Sequence, residues 1–516
     1  MSGDSTGYIA ALDIGTTTLR CQIIDKNGDC IGSAFNKVKL YYPSPGSVEI
    51  HPDELYDNTI SIIKDSIKDA NVSIRQIKSL GIATQRATFI TWRKSTGKPL
   101  HNFITWKDIR AWEFIKKVNK SWKIWLLRTG CQIIHLLTRQ MKFNIVGNLK
   151  FTSTHVTLRL LWLLQNNEEL QKALSSNDLM FGTVDTWLVY KLTGGRTYVT
   201  DISNASATGM YDPFSLCWSL IPKYLNIPQS ILPTVVDNDY EFGYCSSDIF
   251  GVPIKIGAVM SDQSASMYGS CSFAENDLKI TMGTGVFLDV NTGCNIKGGT
   301  EGTYPLVGWK NKEELVFLTE IPGSDAGSLV EWMLATGLIS TADELNIMPT
   351  SVKNTSGVYF IPAFSGLGPP ISNENAASGF IGIKPETRKE HMIRAVLESI
   401  VYKTILAYDL LRSQWKENFT YISANGGVSK NDFICQLLAD LTDLPVKRLS
   451  AEMSTLGVAF LAGLSGGLWH SKEELSKIDK TEKVFYPSKE KTRKTELLVE
   501  LESWRRATDR FKSWYD

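Results

Sequence analysis

The feature that most constrains the fold is a pattern that occurs twice: an apolar strand, a turn of glycine and threonine, and a second strand. The first copy spans residues 8–25, with the turn DIGTTTLR at 13–20, and the second spans residues 278–290, with the turn GTG at 283–285. Glycine permits unusual backbone angles and threonine adds a hydroxyl, so such a turn can cradle phosphate oxygens. The repeat predicts an ancient duplication with one phosphate loop in each half.

Each copy also fits a simpler structure. The GTG turn is typical of a β-hairpin, and the three threonines after Gly15 fit a hairpin edge. The occurrence of both copies in one chain favours phosphate binding. The hydroxyls of Thr16, Thr17 and Thr18 are therefore expected to bind phosphate oxygens. Asp13, at the end of the first strand, is expected to hold Mg²⁺ through water.

A lone acid, Asp262, follows an apolar run at residues 256–260 just before the second copy. The run reads as a buried strand, so the carboxylate should emerge at a strand end, where α/β proteins usually build their sites. The small residues after Asp262 predict a tightly packed helix. The sequence therefore predicts that the chemistry is centred on residues 257–287.

The composition describes an ordinary globular protein. The chain has 516 residues, 43% of them hydrophobic and 21% charged, and this length predicts two large domains. A formal net charge of +1 argues against a nucleic-acid binder. Neither a signal peptide nor an apolar run long enough to span a bilayer is found, so we expect a cytosolic protein without a membrane span. The eight cysteines lack a Cys-x-x-Cys pair and are interpreted as thiols.

Longer stretches give the chain a family resemblance. They are FGTVDTWLVYKLTG at 181–194, TDISNAS at 200–206, SGFIGI at 378–383 and AVLE at 395–398. With them, the chain resembles the FGGY carbohydrate kinases, and within that family most resembles the glycerol kinases. The resemblance implies an actin-like, ribonuclease H-like α/β fold of two domains with an interdomain cleft. We place the domains at 1–256, for polyol and phosphate, and 257–516, for ATP.

The resemblance also implies an activity, which is transfer of the γ-phosphoryl of MgATP to a primary hydroxyl of glycerol. Asp262 would be the general base. The residues expected to hold the polyol are Arg86, Trp106, Asp262, Gln263 and Phe287. Those expected to contact ATP are Thr16, Thr17, Thr18, Arg20, Thr284, Gly327, Glu331, Gly427 and Asn431. Asp13 and Asp262 would surround the metal, domain closure would expel water, and a homodimer is implied.

Three positions depart from the glycerol kinase pattern. Ala87 stands where relatives have a glutamate that hydrogen-bonds the polyol, and Thr154 falls near the place of a substrate-contacting tyrosine. Glu331 replaces a glutamine. A hydrogen bond to a charged group is worth about 1.5 to 3 kcal/mol, so the change at Ala87 alone predicts roughly 10- to 100-fold weaker polyol binding.

These departures leave alternatives open. The substrate could be another polyol or a sugar, because Ala87 and the Thr154 region reshape the pocket. The chain could instead be a regulatory protein that binds ATP but has lost efficient catalysis, although the retained Asp262 and both phosphate loops argue against this. A filament former or chaperone on the same fold would have no use for the polyol motifs.

One further segment stands apart by its charge. Residues 114–150 contain eight lysines and arginines and no acidic residue, with tryptophans and aliphatic residues between them. Such a strip could meet a membrane surface, a partner or an RNA. A solvated helix face is the commoner outcome for a run of charges, and this is the expectation adopted.

Overall fold

The computed structural model describes residues 7–323 and 325–515. The elements up to residue 269 are β1 (Tyr8–Ile14), β2 (Thr18–Ile24), β3 (Cys30–Lys37), β4 (Glu49–Ile50), α1 (Pro52–Asp69), β5 (Ile77–Thr84), β6 (Phe89–Arg93), β7 (Phe103–Ile104), α2 (Trp112–Asn119), α3 (Trp122–Thr138), α4 (Met141–Gly147), α5 (Val156–Asn166), α6 (Glu168–Ser175), β8 (Leu179–Thr183), α7 (Val184–Leu192), β9 (Val199–Asp201), α8 (Ile202–Ser206), β10 (Tyr211–Asp212), β11 (Cys217–Trp218), α9 (Leu220–Tyr224), β12 (Thr234–Val236), α10 (Ser247–Phe250), β13 (Ile256–Ser261) and α11 (Asp262–Gly269).

The elements after residue 269 are β14 (Leu278–Met282), β15 (Val286–Asn291), β16 (Tyr304–Lys310), β17 (Leu315–Pro322), α12 (Gly327–Ala335), α13 (Glu344–Ile347), β18 (Tyr359–Ile361), β19 (Gly379–Ile381), α14 (Lys389–Gln414), β20 (Ile422–Asn425), α15 (Asp432–Thr442), β21 (Val446–Leu449), α16 (Met453–Gly466), α17 (Lys472–Ser476), β22 (Thr481–Phe485) and α18 (Lys491–Thr508). Short 3₁₀ helices lie at Ile74–Gln76, Gln229–Ile231, Met348–Thr350 and Gly427–Lys430.

The chain divides into two compact units that differ from the predicted ranges 1–256 and 257–516. Unit 1 comprises residues 1–271, 306–317 and 454–478, and unit 2 comprises 272–305, 318–453 and 479–516. The predicted boundary falls inside β13. That strand pairs in parallel with β5, so it belongs to the sheet of unit 1.

The main sheet of unit 1 has five strands in the order β13-β5-β1-β2-β3. β1 is antiparallel to β2 and parallel to β5, so the chain turns back at once after the first glycine–threonine turn. The strand β1, YIAALDI, is almost entirely buried, as expected for a central parallel strand. The carboxyl ends of β1, β5 and β13 therefore carry Asp13, Gln85 and Asp262 to the same sheet edge.

Unit 2 repeats this arrangement. Its sheet includes the consecutive strands β17-β15-β14-β20-β21, where β14 is antiparallel to β15 and parallel to β20. β20 is in turn parallel to β21, as β5 is to β13 in unit 1. The same order and the same directions in both units agree with the predicted duplication.

The helix after Asp262 is packed as tightly as the sequence predicted. Residues 263–269 of α11 are all buried. A Cβ placed on Gly457 of α16 would collide with the backbone oxygen of Ala265, so the two helices touch through their main chains. This close contact fixes α11, and with it Asp262, against the body of unit 1.

Two long helices pack on the sheets. Helix α1 covers residues 52–69, and the C-terminal helix α18 buries Leu497, Leu501 and Trp504. Trp514 lies beyond the end of α18 and is 69% exposed. Across residues 7–323 and 325–515, no helix is long and apolar enough to cross a bilayer.

Candidate functional site

The first phosphate-type loop is the sharp connection between β1 and β2. The amide of Gly15 donates to the carbonyl of Thr18 at 3.0 Å, which closes the turn. Thr17 is exposed at its tip, while Thr16 and Thr18 are half-buried. Arg20 lies on β2 directly opposite Asp13. The structure therefore brings together the predicted phosphate residues of unit 1, and their contact with phosphate stays a prediction.

Trp106 is joined to this loop by a hydrogen bond. Its Nε1 donates to Thr16 Oγ1 at 2.7 Å, and Thr16 in turn donates to Gln85 Oε1 at 3.1 Å. Gln85 Nε2 donates to the carbonyl of Gly15 at 3.0 Å. The hydroxyl proton of Thr16 is thus donated to Gln85. Thr16 is therefore positioned by Gln85 and by Trp106, a residue that was predicted to contact the substrate. The sequence did not predict the role of Gln85.

Asp262, Gln263 and Arg86 form the polar group at the start of α11. Arg86 Nε lies 3.7 Å from Asp262 Oδ1, and the backbone amide of Gln263 donates to the same oxygen at 2.7 Å. The Asp262 side chain keeps 28% of its surface exposed. Gln263 Oε1 is buried, and no group among the described residues donates to it. An unsatisfied buried acceptor costs about 1–3 kcal/mol, so this oxygen is suited to receive a ligand hydroxyl.

A buried polar network fixes the residue before Asp262. The amide of Ser261 donates to Ser203 Oγ at 2.8 Å. The carboxylate of Asp201 accepts bonds from Ser203, from Asn204 and, at 3.0 Å, from Asn238 Nδ2. Burial, followed by the neighbouring Asp185, raises the pKa of Asp201 to about 7. The TDISNAS stretch thus holds the end of β13 in place.

Arg159 is a site residue that the sequence did not predict. Its side chain is fully buried in α5, and burial lowers the pKa of its guanidinium to about 10. It donates to the carbonyl oxygens of Ala87 and Thr105 at 2.6 Å each and to that of Thr154 at 2.9 Å. One guanidinium therefore ties together the three segments that follow Arg86, precede Trp106 and contain Thr154. An arginine inside the apolar run VTLRLLWLL was the available signal.

The second phosphate-type loop lies between β14 and β15. The amide of Gly327, the first residue of α12, donates to the carbonyl of Gly283 at 2.9 Å, and the amide of Ala326 donates to the carbonyl of Thr284 at 3.0 Å. A Cβ at Gly327 would lie 2.8 Å from the Gly283 oxygen, so this close approach requires glycine. On Gly283 itself a Cβ would meet no atom within 4 Å.

The other predicted nucleotide residues of unit 2 differ in their surroundings. Gly427 faces open space, because a Cβ there would meet no atom within 4 Å. Asn431 has a structural role: its Oδ1 caps α15 by accepting from the amide of Ile434, and its Nδ2 donates to the carbonyl of Leu345. Glu331 is exposed, and Phe287, expected on the polyol, is half-buried on β15. Their ligand contacts stay predictions.

Two carboxylates of unit 1 suit Mg²⁺, which binds proteins through one or two carboxylates together with phosphates and water. Asp13 is half-buried at the end of β1, and Ser454 Oγ donates to its Oδ2 at 2.5 Å. Asp262 is the second carboxylate. The described parts of the chain contain no group of three or more His, Cys, Asp or Glu residues that could hold a metal without a ligand's help.

The chain is similar to known kinases over almost its whole length. Residues 8–269 match the N-terminal domain of the FGGY family of carbohydrate kinases, and residues 278–466 match its C-terminal domain. The chain is 44% identical over 511 residues to Glycerol kinase 5 of Bos taurus, covering 99% of this chain and 96% of that protein. It is 34% identical over 511 residues to Glycerol kinase 2 of Thermotoga maritima, covering 98% and 99%.

Among solved structures, Plasmodium falciparum glycerol kinase with ADP matches with a TM-score of 0.85 at 28% identity, covering 98% of both chains. Together these similarities confirm the predicted family and the predicted two-domain, actin-like α/β fold.

Proposed function

Because this chain belongs to the FGGY family of carbohydrate kinases, we propose that it transfers the γ-phosphoryl group of ATP to a primary hydroxyl of glycerol, giving sn-glycerol 3-phosphate. The family and the glycerol kinase relatives support phosphotransfer to an alcohol. The observation that supports the proposed substrate site is the grouping of Arg86, Asp262 and Gln263. It places a base, a cation and an unsatisfied acceptor at one helix start.

In the proposed reaction, Asp262 accepts the proton of the attacking hydroxyl as the oxygen bonds to phosphorus. A positioned general base of this kind contributes roughly 10²–10⁴-fold to the rate. The Arg86 side chain, with its Nε 3.7 Å from Asp262 Oδ1, pairs with this carboxylate and orients it. Gln263 Oε1 accepts from a second hydroxyl of the polyol. Trp106 presents its indole to the carbon face of the substrate, with its ring fixed by Thr16.

The nucleotide is held in the proposal by both glycine–threonine turns and by Gly327 and Gly427 of unit 2. Open space at Gly283 and Gly427 supports this assignment. Asp13 and Asp262 would hold Mg²⁺ together with the phosphates, and the ion would neutralise their charge. Little covalent work remains for the protein, so positioning and charge neutralisation supply most of the catalysis.

A second candidate is phosphorylation of another polyol or a sugar, and Ala87 favours it. This residue has a backbone φ of +56° and is 7% exposed, and Arg159 holds its carbonyl. Its methyl group replaces a longer side chain that relatives use on the polyol. The site therefore lacks a carboxylate at this point and carries a shorter side chain.

A coupled ADP-release assay on the purified protein separates these candidates. Glycerol is compared with longer polyols, ketoses and aldoses at equal concentration, and binding of ADP is measured in parallel. The proposal predicts that glycerol gives the highest kcat/KM. A larger substrate that exceeds glycerol would establish the second candidate. Nucleotide binding with silence on the whole panel would support the regulatory alternative.

A further inference from the structure

The long helix α3 carries a stripe of large apolar side chains on its outward face. Six residues, between 52% and 80% exposed, make up this stripe: Trp122, Trp125, Leu126, Ile133, Leu136 and Leu137. Their spacing of 3, 4, 11, 14 and 15 residues from the first places them on one side of a helix of 3.6 residues per turn. The opposite side holds Ile124, which is 2% exposed and packs into unit 1.

This orientation differs from the expectation for residues 114–150. The face is exposed, as a solvated face should be, but it is apolar rather than charged. A surface helix normally turns its apolar stripe to the core, and a large exposed apolar patch on a folded protein marks a binding surface. The apolar stripe of α3 therefore needs a partner.

Elements next to α3 also expose apolar side chains. Met141, at the start of α4, is 42% exposed, and Leu220 of α9 is 78% exposed. Tyr224 of α9 donates from its hydroxyl to the carbonyl of Lys123 at 2.9 Å, which fixes α9 beside the start of α3. Exposed apolar side chains are thus present on α4 and α9 as well as on α3.

The charges within residues 114–150 have one sign. The segment 114–150 contains no aspartate or glutamate, and its exposed cations include Lys117, Lys120, Lys123 and Arg139. Arg128 does not belong to this set, because its guanidinium turns inward and donates to the carbonyl of Leu149 at 2.7 Å. The stripe therefore has a basic rim, with lysines before and at its first turn and an arginine at its end.

We propose that α3 docks on the anionic surface of a lipid bilayer and lies in the plane of the interface. Helices that bind in this way combine one apolar face with lysine and arginine at its margins, and tryptophans sit at the headgroup level. The stripe would enter the boundary of the acyl chains while the basic rim meets lipid phosphates and anionic headgroups. This placement holds the kinase at a membrane surface without any spanning segment.

The charge distribution disfavours a second copy of the chain as the occupant. A symmetric contact sets the same patch against itself, so Lys117, Lys120 and Lys123 of both copies would crowd one interface. Like charges at close range oppose association, whereas an anionic bilayer attracts the whole rim. The basic rim therefore selects the bilayer over a dimer.

The test is flotation of the full-length protein with vesicles of phosphatidylcholine, with and without phosphatidylserine. The double variant Trp125→Glu/Leu136→Glu changes the stripe. The matched control, Ile347→Glu/Val499→Glu, changes two exposed apolar residues of α13 and α18, which are 70% and 60% exposed. Thermal unfolding and ADP binding of each variant verify the fold.

Wild type and the control should float with anionic vesicles, and the stripe variant should bind at least tenfold more weakly. Substituting Gln for Lys117, Lys120 and Lys123 should reduce binding by about fivefold per lysine, and added salt should act in the same direction. Equal flotation of wild type and the stripe variant would overturn the proposal. Failure of the wild-type protein to float at low salt would also overturn it. If sedimentation then showed a wild-type dimer and a monomeric stripe variant, the patch would be assigned to dimer formation instead.

Discussion

Arg159 donates from Nη2 to the carbonyl oxygen of Ala87 at 2.6 Å, and so fixes the backbone beside the proposed substrate arginine. The same guanidinium also holds Thr105 and Thr154. The planar guanidinium donates to these carbonyls from two nitrogens held at a fixed separation, whereas lysine offers a single nitrogen. We therefore propose Arg159 as a positioning residue that acts on substrate binding through the three segments that it holds.

Arg159→Lys should therefore lower the free energy of unfolding by about 2–3 kcal/mol, because hydrogen bonds from a charged donor are lost in a buried site. It should also raise KM for the polyol more than it lowers kcat. Thermal unfolding and steady-state kinetics measure the two effects. Arg93→Lys, at a partly exposed ion pair with Asp178, is the control and should change neither. An unchanged KM in Arg159→Lys would remove it from the positioning role.

Ala87→Glu should strengthen glycerol binding. The substitution introduces the carboxylate that the glycerol kinase pattern predicts next to Arg86, the proposed substrate arginine. The backbone cost of a φ of +56° is about the same for Glu as for Ala. We expect KM for glycerol to fall roughly 10- to 100-fold, as a hydrogen bond to a charged group permits. Ala87→Gln, which lacks the charge, should give a smaller gain. A rise in KM would show that the pocket is shaped for a different substrate.

Two glycines of unit 2 should respond differently to alanine. A methyl group on Gly427 meets open space, so Gly427→Ala should leave the melting temperature unchanged but weaken ADP binding, because the methyl occupies the place proposed for the nucleotide. Gly327→Ala would push against the Gly283 oxygen 2.8 Å away and should reduce both stability and binding. Calorimetric titration with ADP and thermal unfolding distinguish them. If Gly427→Ala bound ADP with wild-type affinity, Gly427 would not be part of the nucleotide site.

His101 should make stability depend on pH. Burial lowers the pKa of its imidazole from 6.5 to about 4, and the neutral ring donates from Nδ1 to the carbonyl of Asn102 while Nε2 accepts from the amide of Thr91. Because the pKa of His101 in the folded protein lies below its pKa in the unfolded chain, the neutral ring makes its full contribution to the free energy of unfolding above pH 6.5. This contribution is lost as pH falls toward 4, with an upper bound of about 3 kcal/mol.

His101→Gln should therefore flatten the fall in melting temperature between pH 7 and pH 4.5. His470→Gln, at an exposed position, is the control and should retain the wild-type slope. The same slope in His101→Gln and wild type would assign the pH dependence to other groups.

The parts of the site that sequence predicted well are local in the chain. Strand, glycine–threonine turn and strand lie within about twenty residues of each other, so both loops could be found from hydrophobic pattern and turn chemistry. The end of the apolar run likewise placed Asp262 at the start of a helix.

What sequence missed depends on contacts between distant residues. Ser454 bonds Asp13 across 441 positions, and the predicted boundary at 256/257 failed to anticipate that β13 pairs with β5. The inward turn of Arg159 depends on three carbonyls that come together only in the folded chain. No periodicity in the sequence encodes those contacts. The apolar outer face of α3 was also missed, because periodicity shows a stripe but not the direction in which it points.

The most direct test of the account is ³¹P NMR of the product formed from ATP and glycerol by the wild-type protein and by Asp262→Asn. Asparagine keeps the shape of the side chain and loses the base. The account predicts glycerol 3-phosphate from wild type, at least a 100-fold lower rate from Asp262→Asn, and ATP binding that both proteins retain. Comparable rates of product formation by the two proteins would contradict the assignment of Asp262 as the base, and absence of glycerol 3-phosphate from wild type would contradict the activity itself.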